Sequence, residues 1–374
     1  MNSSNSLVRE RRALLFDVPA FHDESLTSWL LRTSIAHGMN PLMLTDYYWG
    51  YRNRVWTLYL DLGFPFPSMQ EDITWLSKGK PPTTFGTLLL QLPQRPKTKL
   101  GYLINPQTKR NRRSEHGANY CPICFESKTP YLKLEWQLAT ALYCHEHGCR
   151  LQQHCPHCNT LYSPQLLEAH QQINQCHHCS GTLKAFEINR IAVSDDACWT
   201  IHKNLVDALF DKKEVSALGL ALGAHDYIDL LILFIGLVRY GARTQNQNIF
   251  RFMRLLKVPI NYMEIPTVKR LSFPLLPYEE RWMILNVVYR ILQTDLKTLI
   301  DLMTSCKFTV ETILNERHKG QTAPAVLGPL LAALPSAGRK KRKTTTVNDS
   351  PSSHDRVIDR WLLLQRRAQQ KATL

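Results

Sequence analysis

Apolar residues recur every three or four positions between Leu26 and Ala36, which predicts a helix with one buried face. Asp23 is a suitable N-cap for this helix, and Gly38 is a suitable residue for ending it. A second helix is predicted over 42–48. Two helices joined by a short turn with a glycine have the outline of a helix-turn-helix unit, and ordinary packed hairpins share that outline. Because the second helix holds no Arg, Lys, Asn or Gln to meet base edges, its apolar surface favours a protein partner.

The part of the chain after residue 190 shows the same helical periodicity. Its longest apolar run, Ile228 to Val238, has 11 residues, which is too short to span a bilayer and predicts a buried helix. No membrane segment is expected. Helices are predicted over six segments: 195–211, 226–240, 249–257, 278–293, 296–306 and 309–318.

Between these two helical regions, residues 121–179 hold eight of the ten cysteines. Four pairs of ligand-type residues, each with two residues between its members, occur in order: Cys121 and Cys124, Cys144 and His147, Cys155 and Cys158, and Cys176 and Cys179. The spacers inside each successive set of four are 19 and 17 residues long, which fits two closed four-ligand zinc sites. The sequence therefore predicts two structural Zn²⁺ ions, one in each set of four residues.

Other uses of these cysteines are less favoured. Disulfides do not fit paired CxxC turns in a chain with no recognisable secretory signal, and iron–sulfur ligation usually needs closer clustering. A catalytic zinc needs an open coordination position, whereas both sets here can close with four protein ligands. Cys149 is interpreted as a spare thiol beside the first site. Neighbouring histidines remain alternative ligands: His145, His154, His157, His177 and His178.

The net charge of +15 indicates a polyanionic partner, of which nucleic acid is the usual one. Two basic clusters are candidate nucleic-acid contacts, although each is equally typical of a solvated linker or tail. Their residues are Lys97, Lys99, Lys109, Arg110, Arg112 and Arg113, and then Arg339, Lys340, Lys341, Arg342 and Lys343. Thiols that hold metal imply a reducing compartment, so a cytoplasmic location is expected.

The sequence predicts a mainly α fold with small zinc modules. Its parts are a helix-turn-helix-containing domain over 14–115, a tandem zinc-finger region over 116–190, a helical domain over 191–335, and a basic tail with a short helix over 336–374. No phosphate-binding loop, GxSxG, HExxH or acidic triad is recognisable, so we expect an adaptor rather than an enzyme.

Several short motifs resemble those of the TniQ/TnsD family of transposon target-selection proteins. They are Glu24-Ser-Leu-Thr-Ser-Trp-Leu30, Cys121-Pro-x-Cys124, Leu134-Glu-Trp-Gln-Leu138, Cys144-His-Glu-His147 followed by Leu151, and Cys155-x-x-Cys158. The resemblance covers about residues 14–190, and the chain length looks nearer the TniQ type of CRISPR-associated transposons than the longer TnsD type.

The resemblance implies a bacterial protein without catalytic activity that links target recognition to an AAA+ ATPase regulator, which then brings the transposase. TniQ-type members bind the guide-RNA effector complex Cascade, often as dimers. TnsD-type members instead read a specific attachment-site DNA. Since this chain has a helical C-terminal half and a basic tail that a minimal TniQ lacks, direct DNA contact stays open as the alternative function.

Overall fold

The computed structural model describes residues 13–50, 55–57, 59–64, 66–92, 100–104, 117–184, 196–259, 271–314 and 324–336. Within these residues the chain is mainly helical, with one small sheet of two strands. Backbone contacts divide the chain after Pro335, and the described residues up to Pro335 belong to one compact unit. The four-part domain division stays a prediction.

Four α-helices lie among the described residues of the N-terminal part: α1 (Leu26–Ala36), α2 (Pro41–Trp49), α3 (Pro67–Leu76) and α4 (Phe85–Leu90). The N-cap of α1 is Ser25, whose side chain accepts a hydrogen bond from the Ser28 amide, so the prediction of Asp23 was wrong by two residues. Gly38 adopts a φ of +64° just beyond the helix end, as its position predicted. The first two helices pack against each other, and their helix-turn-helix role stays a prediction.

The segment 131–142 is not the helix, or strand followed by a helix, that its apolar content predicts. It contains one 3-10 turn, Leu134–Gln137, and no strand or α-helix. Its backbone hydrogen bonds go to distant partners instead, because the Ser25 amide donates to the Leu132 carbonyl and the Ala139 amide donates to the Leu103 carbonyl. Trp136 and Leu138 are fully buried and belong to the hydrophobic core.

The C-terminal part holds seven helices among the described residues: α5 (Ala197–Leu209), α6 (Ala224–Thr244), α7 (Gln247–Leu255), α8 (Tyr278–Leu292), α9 (Leu296–Ser305), α10 (Val310–Leu314) and α11 (Gly328–Ala333). The first five match predicted helices to within a few residues at each end. The described residues of the sixth predicted segment, 309–318, contain α10, and residues 315–318 lie outside the described part. Cys198 and Cys306 are buried, as expected of lone apolar thiols.

A hairpin of β1 (Val215–Ala217) and β2 (Leu220–Leu222) separates α5 from α6. Leu218 and Gly219 form its two-residue turn, with φ values of +55° and +72°. Positive φ at both central residues is the geometry that matches the twist of an antiparallel pair. This hairpin is not among the elements that the sequence pattern predicts.

The N-terminal and C-terminal helices of this unit share one hydrophobic core. The 3-10 turn Leu100–Leu103 packs against α6 and against the turn Phe273–Leu275. The buried Arg281 of α8 donates from Nη1 to the Ala139 carbonyl at 3.0 Å. None of the helices in the described segments is both long enough and apolar enough to cross a membrane.

Candidate metal centres

The structure brings Cys121, Cys124, Cys144 and His147 together, with all four ligand atoms within 4.8 Å of one another. The His147 Nδ1 atom lies 3.5, 3.2 and 3.5 Å from the sulfurs of Cys121, Cys124 and Cys144. A tetrahedral ion with bonds of about 2.3 Å to sulfur and about 2.0 Å to nitrogen would place such pairs about 3.5 Å apart. This first centre, named the cysteine–histidine centre below, could therefore hold one metal ion.

The second centre, named the four-cysteine centre below, consists of Cys155, Cys158, Cys176 and Cys179, whose sulfurs also lie within 4.8 Å of one another. The Cys155–Cys179 and Cys158–Cys176 sulfur distances are 3.6 and 3.7 Å. Two thiolates on a tetrahedral ion would be about 3.8 Å apart. This centre is less enclosed than the first, because Cys179 is exposed whereas Cys121 and Cys144 are fully buried.

Three of the four ligand pairs lie on turns of the same construction. In each turn the amide of the fourth residue after the first cysteine donates to that cysteine's carbonyl, and this fourth residue has a left-handed φ. The fourth residues are Gly148, Asn159 and Ser180, with φ values of 60°, 55° and 58°. The residues that flank each turn then pair as an antiparallel bridge: Tyr143 with Arg150, His154 with Leu161, and Gln175 with Thr182. Local backbone bonding therefore orients both members of each of these ligand pairs toward one point.

Residues 15–151 match the family model TniQ. This part of the chain is a TniQ domain. The TniQ domain indicates a family of transposition target-selection proteins. The matched residues include all four residues of the cysteine–histidine centre and end before Cys155, so the four-cysteine centre follows the matched region. A comparison with curated proteins returns no match.

Two segments that lie more than a hundred residues apart, 23–28 and 132–134, are joined by hydrogen bonds in the TniQ domain. This junction is named the Lys133 seam. Glu24 and Lys133 form an antiparallel bridge, and the Leu134 amide donates to the Asp23 carbonyl at 2.8 Å. The Ser28 hydroxyl accepts a 2.9 Å hydrogen bond from the Leu132 amide. The start of α1 is therefore hydrogen-bonded to the backbone segment that leads to the cysteine–histidine centre.

Lys133 connects this seam to the metal centre by charge. Its ammonium group is nearly buried and lies 3.0 Å from Asp23, and it also pairs with Glu146, which stands between Cys144 and His147. Burial of Asp23 opposes its ionisation, but the Lys133 charge together with the hydrogen bonds from Lys133, Tyr131 and the backbone outweighs burial, so the pKa of Asp23 is lowered. The carboxylates of Asp23 and Glu146 stabilise the ammonium form of Lys133, so the pKa of Lys133 is raised despite its burial.

Cys149, the expected spare thiol, contacts the cysteine–histidine centre from outside. Its sulfur lies 3.3 Å from the Cys121 sulfur, and it is not among the four atoms that lie within 4.8 Å of one another. The hydrogen bond with Cys121 raises the pKa of the Cys149 thiol. Cys149 therefore keeps its proton and can donate S–H to the ligand sulfur.

Behind the cysteine–histidine centre, the TniQ domain buries Glu135 beside His202 of α5. The Glu135 Oε2 atom lies 3.9 Å from His202 Nε2 and 4.0 Å from His145 Nδ1. Burial raises the pKa of Glu135 to about 7 and lowers the pKa of His202 to about 3. The same apolar surroundings therefore favour the neutral form of both side chains, and Glu135 ionises in the folded protein only around and above pH 7.

All of the predicted nucleic-acid contacts lie outside the described residues: Lys97, Lys99, Lys109, Arg110, Arg112, Arg113, Arg339, Lys340, Lys341, Arg342 and Lys343. A basic surface that sequence reasoning did not single out lies on α7 instead. The sequence signal that could have found it is the stretch 230–263, which holds five Arg or Lys residues and no Asp or Glu.

Proposed function

We propose that this chain is a non-enzymatic target-selection adaptor of DNA transposition. In this role it links a Cascade-type guide-RNA effector complex to an AAA+ transposition regulator and, through that regulator, to the transposase. The TniQ match over residues 15–151 is the observation that carries the proposal. The bacterial cytoplasm and a homodimeric state are part of the same proposal.

The two centres are proposed to hold structural Zn²⁺. Thiolate and imidazole ligands with tetrahedral spacing are the set that zinc prefers, and four protein ligands leave no position for a reacting water. In the cysteine–histidine centre Cys121, Cys124 and Cys144 would bind through sulfur and His147 through Nδ1, the ring nitrogen that faces the three sulfurs. The ions would supply folding energy rather than chemistry.

Co-elution tests the adaptor role. The purified full chain is mixed with a Cascade-type complex and, separately, with the AAA+ regulator, and each mixture is run on a size-exclusion column. We expect a shared peak in both cases. If the chain does not co-elute with each of the two partners, the adaptor role is rejected. Light scattering of the free chain on the same column gives its oligomeric state.

The second candidate is a TnsD-like protein that binds a specific attachment-site DNA. The observation that favours it is the exposed basic face of α7, which holds Arg251 and Arg254. It predicts site-selective binding at nanomolar affinity that weakens steeply with salt. Equal affinity for the cognate site and for a random duplex would reject this candidate.

A further inference from the structure

The helix α7 has two sharply different faces. Ile249, Phe252 and Met253 are buried at 0%, 0% and 2% exposure, whereas Gln247, Arg251, Arg254 and Lys257, just past its end, are exposed. Positions 247, 251 and 254 are four and three residues apart, so they share one side of an α-helix. Among the described residues, Arg251, Arg254 and Lys257 make no ion pair.

The helix α7 is capped at its start and packed against neighbouring elements. A Cβ atom at Gly241 of α6 would meet Ile249 Cγ2 at 2.5 Å, so the glycine allows α7 to pack directly on the α6 backbone. The Asn246 side chain caps α7 by accepting from the amides of Asn248 and Ile249. On the far side the Phe252 and Phe308 rings lie 5.3 Å apart, edge to face. The basic face therefore lies on a capped helix whose opposite side is packed in the protein core.

We propose that the exposed face of α7 is a duplex-DNA contact surface, with Arg251, Arg254 and Lys257 placed on backbone phosphates. Sequence neighbours add no opposing charge, because residues 230–263 contain no Asp or Glu. Basic side chains that share one helix face and make no ion pair within the described residues are suited to bind a polyanion. Their binding releases the counterions of the polyanion, and no ion pair of the protein has to be broken first.

Other polyanionic surfaces fit less well. A membrane surface would need the apolar face of the helix, which is already buried in the protein core. An α-helix fits the major groove of B-form DNA, whereas the major groove of A-form RNA is too narrow for one. Gln247 lies on the same face and is a side-chain type that pairs with adenine edges.

The adaptor role does not require this surface. The choice of DNA as its partner rests on the second candidate function, the TnsD-like DNA-binding protein. If site-selective DNA binding persists after the α7 charges are removed, the DNA-binding function is retained and only the assignment of α7 as the contact surface is rejected. The co-elution experiment for the adaptor is scored separately from DNA binding.

The test compares two full-length triple variants that remove the same amount of charge. The patch variant carries Arg251→Ala, Arg254→Ala and Lys257→Ala, and the control carries Lys80→Ala, Lys128→Ala and Arg290→Ala, which are also exposed positions. Fluorescence anisotropy with a labelled duplex of about 30 base pairs is recorded over a range of KCl concentrations. We expect the patch variant to bind at least tenfold more weakly and its slope of log K against log salt to fall by about 2 to 3, at about 0.9 for each lost phosphate contact. The control should stay within about twofold of the unmodified chain.

Three outcomes would overturn the proposal. The patch variant could bind DNA as well as the unmodified chain does, or the control could lose as much affinity as the patch variant. The patch variant could also keep its DNA affinity while losing binding to poly-glutamate or to anionic phosphatidylserine vesicles, which would assign α7 to an acidic protein or to a membrane.

Discussion

Cys149 and Thr160 occupy the same place in two successive ligand turns, five residues after the first cysteine, and each faces a ligand sulfur. The carbonyls of both residues accept the amide of that first cysteine, Cys144 or Cys155. The Cys149 sulfur contacts Cys121, and the Thr160 hydroxyl donates to Cys158, which lowers the pKa of the Cys158 thiol to about 5. This turn position therefore supplies a hydrogen bond that stabilises a thiolate, in one centre from a thiol and in the other from a hydroxyl.

Removing the Cys149 donor should loosen the metal without removing a ligand. Cys149→Ala is expected to speed zinc transfer to a chelating dye about fivefold, since the lost hydrogen bond is worth about 1 kcal/mol. Cys149→Ser keeps a donor and should behave like the unmodified protein, and Cys306→Ala serves as a control at a buried thiol far along the chain, at the C-terminal cap of α9. If Cys149 were a ligand, the Co²⁺-loaded Cys149→Ser protein would instead lose sulfur-to-cobalt charge-transfer absorption.

Glu135 should make stability fall as the pH rises. Its folded-state pKa of about 7 lies above the ordinary 4.5, so the folded protein holds a proton that the unfolded chain has released between these values. Folding is then penalised progressively from pH 4.5 to 7, and the full penalty remains above pH 7. Glu135→Gln should therefore match the unmodified protein near pH 4.5 and exceed its unfolding free energy by about 1–3 kcal/mol at about pH 8.

Urea unfolding at both pH values, with zinc present throughout, measures this difference. Comparison of the two proteins at each pH cancels the pH dependence of metal binding and of His202, whose depressed pKa acts in the opposite direction between pH 3 and 6.5. A Glu135→Gln protein that is less stable at the higher pH would show that Glu135 forms an ion pair with His202 instead.

At the scale of elements, the two centres differ in how much of the fold depends on them. Two cysteines of each centre belong to the hydrophobic core, and the cysteine–histidine centre in addition joins the Lys133 seam through Glu146. Cys179 in the four-cysteine centre is exposed, and that centre follows the TniQ domain. Loss of the first ion should therefore spread through the domain, whereas loss of the second should stay local.

The matched substitutions are Cys121→Ser and Cys155→Ser. Each should lower the zinc content from two ions to one for each chain by elemental analysis. Because structural zinc contributes about 10–16 kcal/mol in small modules, Cys121→Ser should give insoluble or partly unfolded protein. Cys155→Ser should raise hydrogen exchange mainly in residues 155–183. A variant with the same zinc content as the unmodified protein, or a Cys121→Ser protein that stays fully folded, would contradict the two-centre assignment.

The sequence predicted the elements that short-range interactions determine. The five long C-terminal helices follow from apolar periodicity, and the ligand groups follow from cysteine spacing, because a tight turn fixes both members of a pair. The segment 131–142 was mispredicted because its amides and carbonyls bond to residues 23–25 and 103, which no local pattern reveals. The β1–β2 hairpin was missed because three-residue strands carry too little alternation. The α7 face was missed because packing on α6 decides which side of it meets solvent.

At the scale of the molecule, the TniQ match ends within a shared core and not at its edge. The turn Leu100–Leu103 packs on α6, and the Tyr143 ring lies 6.2 Å from the Tyr278 ring of α8. The Arg150 guanidinium stacks 3.5 Å above that same Tyr278 ring. Surfaces of the TniQ domain are therefore buried by the helices that follow it.

A fragment of residues 1–195, which keeps the TniQ match and both centres, should consequently fail to fold as a unit. Leu103 and Tyr143 would lose their covering helices, and each large apolar side chain left exposed forfeits about 1.5–3 kcal/mol, against a total stability of about 5–15 kcal/mol for a domain. Circular dichroism on heating should show no cooperative transition even with excess zinc. The control is a fragment of residues 1–336, which omits the basic tail and should unfold at the temperature of the full chain. A 1–195 fragment that unfolds cooperatively at that temperature would show instead that the TniQ domain and its metal centres are independent of the helical half, and that the contacts from α6 and α8 add little to their stability.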